Sequence, residues 1–243
     1  MNLRKNSPAK APLPRILFYR MGLGLLCALA LWLSGAKDSR AATADDAMMT
    51  IFHATTAIER LQTDEGEQNF FRDNLTKAKA VLIIPSLVKG GFLLGAEWGN
   101  GVLLVRQSDG RFSYPAFYTM ISGSLGLQIG VQDSEMVLMI MNDNGLRAVM
   151  NNAVKVGAGV SIAVATVGAG TAAATTTNLG ADIVAFSHAF GLFGGGAFEG
   201  AVIKPRESWN TAYYGTPQTA EQILLDGTAQ NSHADRLRDI LAR

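Results

Sequence analysis

The sequence predicts an α+β domain in which a strongly curved, Gly-rich antiparallel sheet, or partial barrel, packs with N-terminal and C-terminal helices. Three observations carry this. Residues 45–61 repeat Met48, Ile51, Phe52, Thr55, Ile58 and Leu61 at spacings of three and four, one face of a helix. From Val81 onward the apolar period is two, the spacing of a strand. In residues 123–132 and 154–166 bulky side chains alternate with glycine or small residues, so each strand has one nearly bare side. Bare sides let a sheet bend sharply or another backbone approach closely.

The first 42 residues read differently. Arg4, Lys5, Lys10, Arg15 and Arg20 form a basic start, and Met21–Leu33 is an uncharged apolar run. Small residues follow at Ser34, Gly35 and Ala36 and again at Ser39, Ala41 and Ala42. This is the layout of a secretory signal peptide, and the run is shorter than the ~20 residues a spanning helix needs. Cleavage is expected after Ala36, Ala41 or Ala42, with the protein exported to the periplasm and peripheral to a membrane. Cys27 lies inside the run behind Leu26, not a small residue, which argues against lipid attachment. Seven of the 21 basic residues and one of the 20 acids precede Thr43, so residues 43–243 carry 14 basic against 19 acidic groups, a net of −5. That balance excludes a nucleic-acid partner, which needs a basic stripe. Without cysteine, this part of the chain also has no disulfide or thiol chemistry.

Along the rest of the chain, Asp45 and Asp46 open the first helix, where its dipole favours acids. A second helix is expected over 68–80, with Phe71, Leu75 and Ala78 inward. Both helices are expected to pack on the domain; the alternative is a membrane-surface role. Gly99-Asn100-Gly101 and Ser108-Asp109-Gly110 read as hairpin turns, which predicts strands at about 91–98, 102–107 and 111–114. Pro115 ends the third, having no N–H for a ladder. Residues 123–132 are expected as one strand, and "SEMVLMIMN" as a central one, apolar on both faces. Asp143 or Asn144 is expected to cap a short helix through Met150. Residues 156–181 lack charge and have the length of a membrane helix, but β-branched residues alternating with small ones favour a strand. Strands at 182–190 and 196–203 follow, then helices at 220–225 and 232–241, the latter capped by Ser232.

Little catalytic chemistry is legible. Gly168 to Ala173 formally fits a dinucleotide fingerprint, but Asp182 comes too early for the ribose acid and no βαβ alternation surrounds it. No phosphate-binding loop or Gly-x-Ser-x-Gly elbow occurs. His53, His188 and His233 are far apart in sequence, and no metal or cofactor is expected. Asp182 and His188 share strand parity, so a hydrolase assembled only in three dimensions stands as an alternative. A self-assembling envelope protein using exposed strand edges is another.

The leading reading is surface binding. Lys77, Lys79, Lys89, Arg106 and Arg111 gather in sequence around the first hairpins with Trp98, Phe112 and Tyr114 among them. Cations suit anionic headgroups, and aromatic rings suit the interface. The competing reading is a solvated scatter of charge. The segments "KAKAVLIIPSLVKGGFLLGAEWGNGVLLVR", "GRFSYPAFYTMISGSLGLQIGVQDSEMVLMI", "GLFGGGAFEGAVIKP" and "NTAYYG" resemble, in order and spacing, the SYLF domain of yeast actin-patch proteins. The resemblance runs from about Asn69 to Leu225. It implies a single α+β domain that binds phospholipids, phosphoinositides in eukaryotic members. The basic helix credited with lipid contact in those members has no counterpart here, because a signal peptide and the acidic helix at 45–61 hold its position. No SH3 module is read in the sequence, and an exported protein meets neither actin nor phosphoinositides. The expected organisation is a signal peptide at 1–42, a helical segment at 43–68, the SYLF-like lipid-binding domain at 69–226 and a helical tail at 227–243. The expected partner is an anionic phospholipid or membrane surface. The expected lipid-binding residues are Lys77, Lys79, Lys89, Trp98 and Arg106.

Overall fold

A computed structural model describes residues 43–63, 68–91, 94–125, 130–150, 160–166, 180–187 and 201–243. All lie in one compact unit, Ala42–Arg243. Helix α1 (Ala44–Thr63) and helix α2 (Gln68–Lys77) precede strands β1 (Ala80–Gly91), β2 (Leu94–Val105), β3 (Ala116–Leu125) and β4 (Gly130–Ile140). Helix α3 (Asp143–Met150), strands β5 (Ile162–Thr166), β6 (Ile183–Ser187) and β7 (Val202–Pro205), and helices α4 (Glu207–Tyr214), α5 (Ala220–Leu224) and α6 (Asp235–Leu241) follow. The strands form one curled seven-stranded sheet in the order β5-β6-β4-β1-β2-β3-β7. Every pairing is antiparallel except β5 with β6. The predicted class, a curved α+β sheet with helices at both ends, is the observed one.

Both faces of the sheet are covered. On one face α1, α2, α4 and α6 bury Ile51, Ile58, Phe71, Trp209 and Leu237 against Val81, Ile83, Val102 and Phe117. On the other, α3 and α5 bury Val149, Ile223 and Leu224 against Leu82, Leu103, Tyr118 and Leu138. β4 is central as expected, lying between β1 and β6 with Met136 to Ile140 buried.

Thr43 starts α1 by accepting the Asp46 N–H at 3.1 Å and donating to the Asp46 carboxylate at 2.6 Å. The inward stripe differs from the predicted one. Ala47, Ala54 and Ala57 are buried with Ile51, Ile58 and Leu61, whereas Phe52 is 62% exposed. Small residues let α1 lie close to α4 and α6, which turns Phe52 outward. Helix α2 buries Phe71 and Leu75 as expected but ends at Lys77, short of the predicted 80.

The Asn-Gly signal at residues 99–101 does not make a hairpin. β2 runs straight through it, paired with β1 on one side and β3 on the other. The glycines serve a bulge instead. Between Ile83 and Ser86, β1 advances three residues while β2 advances two, from Val102 to Asn100. β4 shows the same offset, between Ile84/Met136 and Leu87/Ser134. Pro85 lies in the bulge, where a missing N–H costs no ladder bond. A Cβ on Gly99 would stand 2.5 Å from the Ser86 carbonyl oxygen, and one on Gly101 would collide with that of Ile83.

The second turn is real. Gly110 has φ +84°, its N–H donates to the Gln107 carbonyl at 3.0 Å, and Arg106 bridges to Phe112. The strand expected at 111–114 reduces to that single bridge. The strand expected at 123–132 is the end of β3 and the start of β4, which are separated in the sheet by β1 and β2. Asn142, rather than Asp143 or Asn144, caps α3 by accepting the Gly145 N–H at 2.9 Å. Asn231, rather than Ser232, accepts the His233 N–H at the start of the C-terminal helical segment. Helix α4, not foreseen, ends at Gly215 in the left-handed conformation, φ +74°. Within the uncharged 156–181 stretch, Ile162–Thr166 is strand, and no helix of the described residues is long and apolar enough to cross a membrane. Gly157, Gly159 and His188 lie outside the described residues.

Candidate functional site

Strand register places the five expected lipid-binding residues in separate locations. Lys77 is exposed at the last position of α2. Lys79 begins β1's approach and pairs with Asp143 at 2.6 Å. Its ammonium, hydrogen-bonded to that carboxyl, holds Asp143 below the ordinary carboxylate range. The pair is exposed, so it adds little stability.

Arg106 is bound into the fold. Its guanidinium donates to the carbonyls of Leu75 at 2.8 Å and Ala78 at 3.0 Å, and to that of Gly110 at 3.0 Å. It also lies 4.4 Å from the centre of the Phe112 ring. These bonds satisfy the Ala78 carbonyl and add to the Ala78 N–H that the Leu75 carbonyl accepts at 3.2 Å, at the C-terminal end of α2. Burial pushes its pKa down. The expectation of a free surface charge at Arg106 is therefore corrected to a helix-capping role. Phe112 and Tyr114 are absorbed likewise: Phe112 is buried, and the Tyr114 hydroxyl donates to Asp235 at 3.0 Å beneath the Arg238 guanidinium.

Trp98 lies eight residues along β2 from Arg106, about 26 Å at ~3.3 Å per residue. Lys89 is at that same end, where its register partner is Glu97, the neighbour of Trp98. Glu97 is 1% exposed and accepts the Ser122 hydroxyl at 3.2 Å. The basic cluster of the sequence is thus divided between the two ends of the sheet.

What the register does assemble is an apolar row. Trp98 is flanked by Val88 on β1 and Ile121 on β3, and Ile121 by Val202 on β7. Trp98 is 54% exposed and Ile121 50%. On the same face, one row along, Asn100 meets Thr119 and Thr119 meets Lys204, an exposed cation. Arg206 frames the row's edge: it donates to Asn100 at 2.7 Å and stacks on Trp209 at 4.2 Å. Burial lowers its pKa while the nearby Asp46 charge raises it. Ile121, Val202 and Lys204 were invisible as a group because no sequence signal pairs β3 with β7.

Asp182 does not form a catalytic pair among the described residues. Its carboxylate accepts the Ser161 N–H at 2.8 Å, the Ser161 hydroxyl at 2.8 Å and Asn144 at 3.1 Å. Chiefly the Ser161 backbone bond holds its pKa down at about 2. The group clasps the start of β5 to α3.

Comparison with known proteins follows the fold. The family described as "Ysc84: Las17-binding protein actin regulator" matches residues 121–243, half of the chain. The chain is 30% identical to Protein YSC84 of Saccharomyces cerevisiae over 170 residues, covering 69% of this chain and 36% of that protein. It is 30% identical to LAS seventeen-binding protein 3 of the same organism over 155 residues, 63% of this chain and 34% of that protein. With the human SH3 domain-containing YSC84-like protein 1 it shares 27% identity over 168 residues, 69% of this chain and 49% of that protein. The chain spans about a third to a half of the length of these relatives. The resemblance read from the glycine-rich segments, the curled sheet and these matches agree, and the chain belongs to the Ysc84, or SYLF-domain, family.

Proposed function

We propose that this chain is a non-enzymatic lipid-binding protein that docks on anionic phospholipid surfaces through the row Val88–Trp98–Ile121–Val202, with Lys204 meeting headgroup phosphate. The observation that supports it is the exposed Trp98–Ile121 pair, laterally adjacent on a sheet whose other large apolar residues, among those described, are nearly all covered. An exposed indole beside an aliphatic side chain suits the interfacial zone of a bilayer. Burying the exposed halves of both side chains contributes about 2–3 kcal/mol. Lys204 adds about 1 kcal/mol near an anionic leaflet. Together these correspond to a partition enhancement of roughly 10²–10³. The signal-peptide layout of residues 1–42 supports export, so the surface in question is that of the cell envelope facing the periplasm.

The test is co-sedimentation with phosphatidylglycerol and phosphatidylcholine vesicles. Wild type is expected to pellet with the anionic vesicles and far less with the zwitterionic ones, with a blue shift of tryptophan emission. The double variant Trp98→Ser, Ile121→Ser should remain in the supernatant, whereas Lys77→Glu, at the far end of the sheet, should pellet almost normally. Equal pelleting of wild type and the double variant would refute the assignment of this face.

A further inference from the structure

We infer that the cavity between the C-terminal half of α2 and the end of α6 is a binding site for a phosphate-type oxyanion, held between the guanidinium groups of Arg72 and Arg106. The cavity has a volume of about 100 Å³ and is lined by Arg72, Arg106 and Arg243 with Leu75 and Leu241 as apolar walls. A single water needs only ~10–15 Å³ on this measure, so a tetrahedral oxyanion fits. The site is at the opposite end of the sheet from Trp98 and does not rest on the membrane reading.

Three features distinguish it from a chance grouping of surface cations. First, among the described residues the ion pairs are Arg60–Glu135, Lys79–Asp143, Arg236–Glu59 and Arg238–Asp235, so none of the three lining arginines has a carboxylate partner. Arg106 in particular is half-buried, and all three of its hydrogen bonds go to neutral carbonyls. Second, those bonds use one N–H on each of its three nitrogens, which leaves two of five donors, one on each terminal nitrogen. The same bonds fix the fork in place, so a ligand need not immobilise it on binding. Third, the objection that a helix C-terminus repels anions is met locally, because the Leu75 and Ala78 carbonyls already bond to Arg106. The Thr76 hydroxyl donates to the Asp73 carbonyl at 3.0 Å, so the donors offered to a ligand are guanidinium N–H groups. Such charge-assisted, fork-shaped donors match the oxygens of phosphate and its monoesters.

Isothermal titration calorimetry of the full chain at constant ionic strength tests this with two probes, inorganic phosphate and a short-chain phosphatidic acid below its micellar concentration. Saturable binding of inorganic phosphate supports the site with a free anion as ligand. Binding of the phosphatidic acid alone supports it with a lipid headgroup as ligand. In either case Arg72→Gln should weaken binding by at least about tenfold, the loss expected of one charge-assisted bond. Its melting temperature without ligand should stay unchanged, since Arg72 makes no ion pair among the described residues. Trp98→Ser should leave the affinity unaltered, which separates this site from the membrane face. Absence of saturable binding with both probes, or equal affinity in Arg72→Gln, would overturn the inference.

Discussion

Replacing Arg106 by alanine should destabilise the domain by about 3 kcal/mol, although the residue's position near a turn suggests a dispensable surface charge. Two part-buried bonds, to the Leu75 and Ala78 carbonyls, carry most of the effect. Lost from a charged donor, they are worth about 2–3 kcal/mol together. The guanidinium over the Phe112 ring at 4.4 Å adds about 0.5 kcal/mol. The bond to Gly110 is exposed and adds little. For a domain of this size each kcal/mol lowers the melting temperature by roughly 2–4 °C, so the fall should be about 6–12 °C. Arg106→Lys should recover only part of this, since a single ammonium cannot span carbonyls on both sides of the α2 terminus. Thermal unfolding followed by circular dichroism, with urea denaturation as a second measure, reads the effect. A loss below about 1 kcal/mol for the alanine variant would refute the capping role, because exposed charges contribute in that range. One consequence is practical: a charge reversal at Arg106 confounds folding with any binding it is meant to probe.

Other outcomes follow from the same geometry. Gly101→Ala should lower the stability measured by urea denaturation by about 1–3 kcal/mol, since its Cβ meets the Ile83 carbonyl rather than a flexible side chain. Trp98→Ser should weaken anionic-vesicle binding about tenfold while leaving the melting temperature unchanged, the indole being half exposed. The Asp182 carboxyl, held at about 2 when folded and near ~3.9 unfolded, stabilises the fold above pH ~4 and loses that contribution as pH falls toward 2. Asp182→Asn should therefore flatten the melting-temperature profile between pH 4 and 2.

The first two helices and the change of period were legible in the sequence because each is a local property. Residues 45–61 have a single dominant period, and the alternation from Val81 onward needs no knowledge of partners. What is not local was misread. The pairing of β1 with both β2 and β4, and of β3 with β7, joins segments far apart in the chain. Asn-Gly at 100–101 carries a hairpin signal that tertiary packing overrides, since both sides of β2 are already paired. The first helix's inward face was read from the spacing of three and four, which takes in Phe52. Close packing instead favours the alanines, since small residues permit the shortest helix-to-helix approach.

The same bulge decides which residues of β1 line each face of the sheet. Before it, odd-numbered residues of β1, Val81 and Ile83, face α1, while Leu82 and Ile84 face α5. One extra residue in a strand of period two exchanges the faces. Leu87, odd-numbered, therefore packs with the α5 side. Val88 joins Trp98, and Lys89 aligns with buried Glu97. Carried on without the bulge, the register of Ile83 with Val102 would set Leu87 opposite Trp98; the bulge at Pro85 advances β1 by one residue and puts Val88 there. The glycines opposite are what make the exchange possible, because only a residue without Cβ can take the displaced carbonyls of Ile83 and Ser86. Gly99 and Gly101 thus bear on function at a distance. They hold no ligand, but they set the phase of β1 and so decide that Val88 is the residue that joins Trp98, Ile121 and Val202 in the face presented beside Lys204.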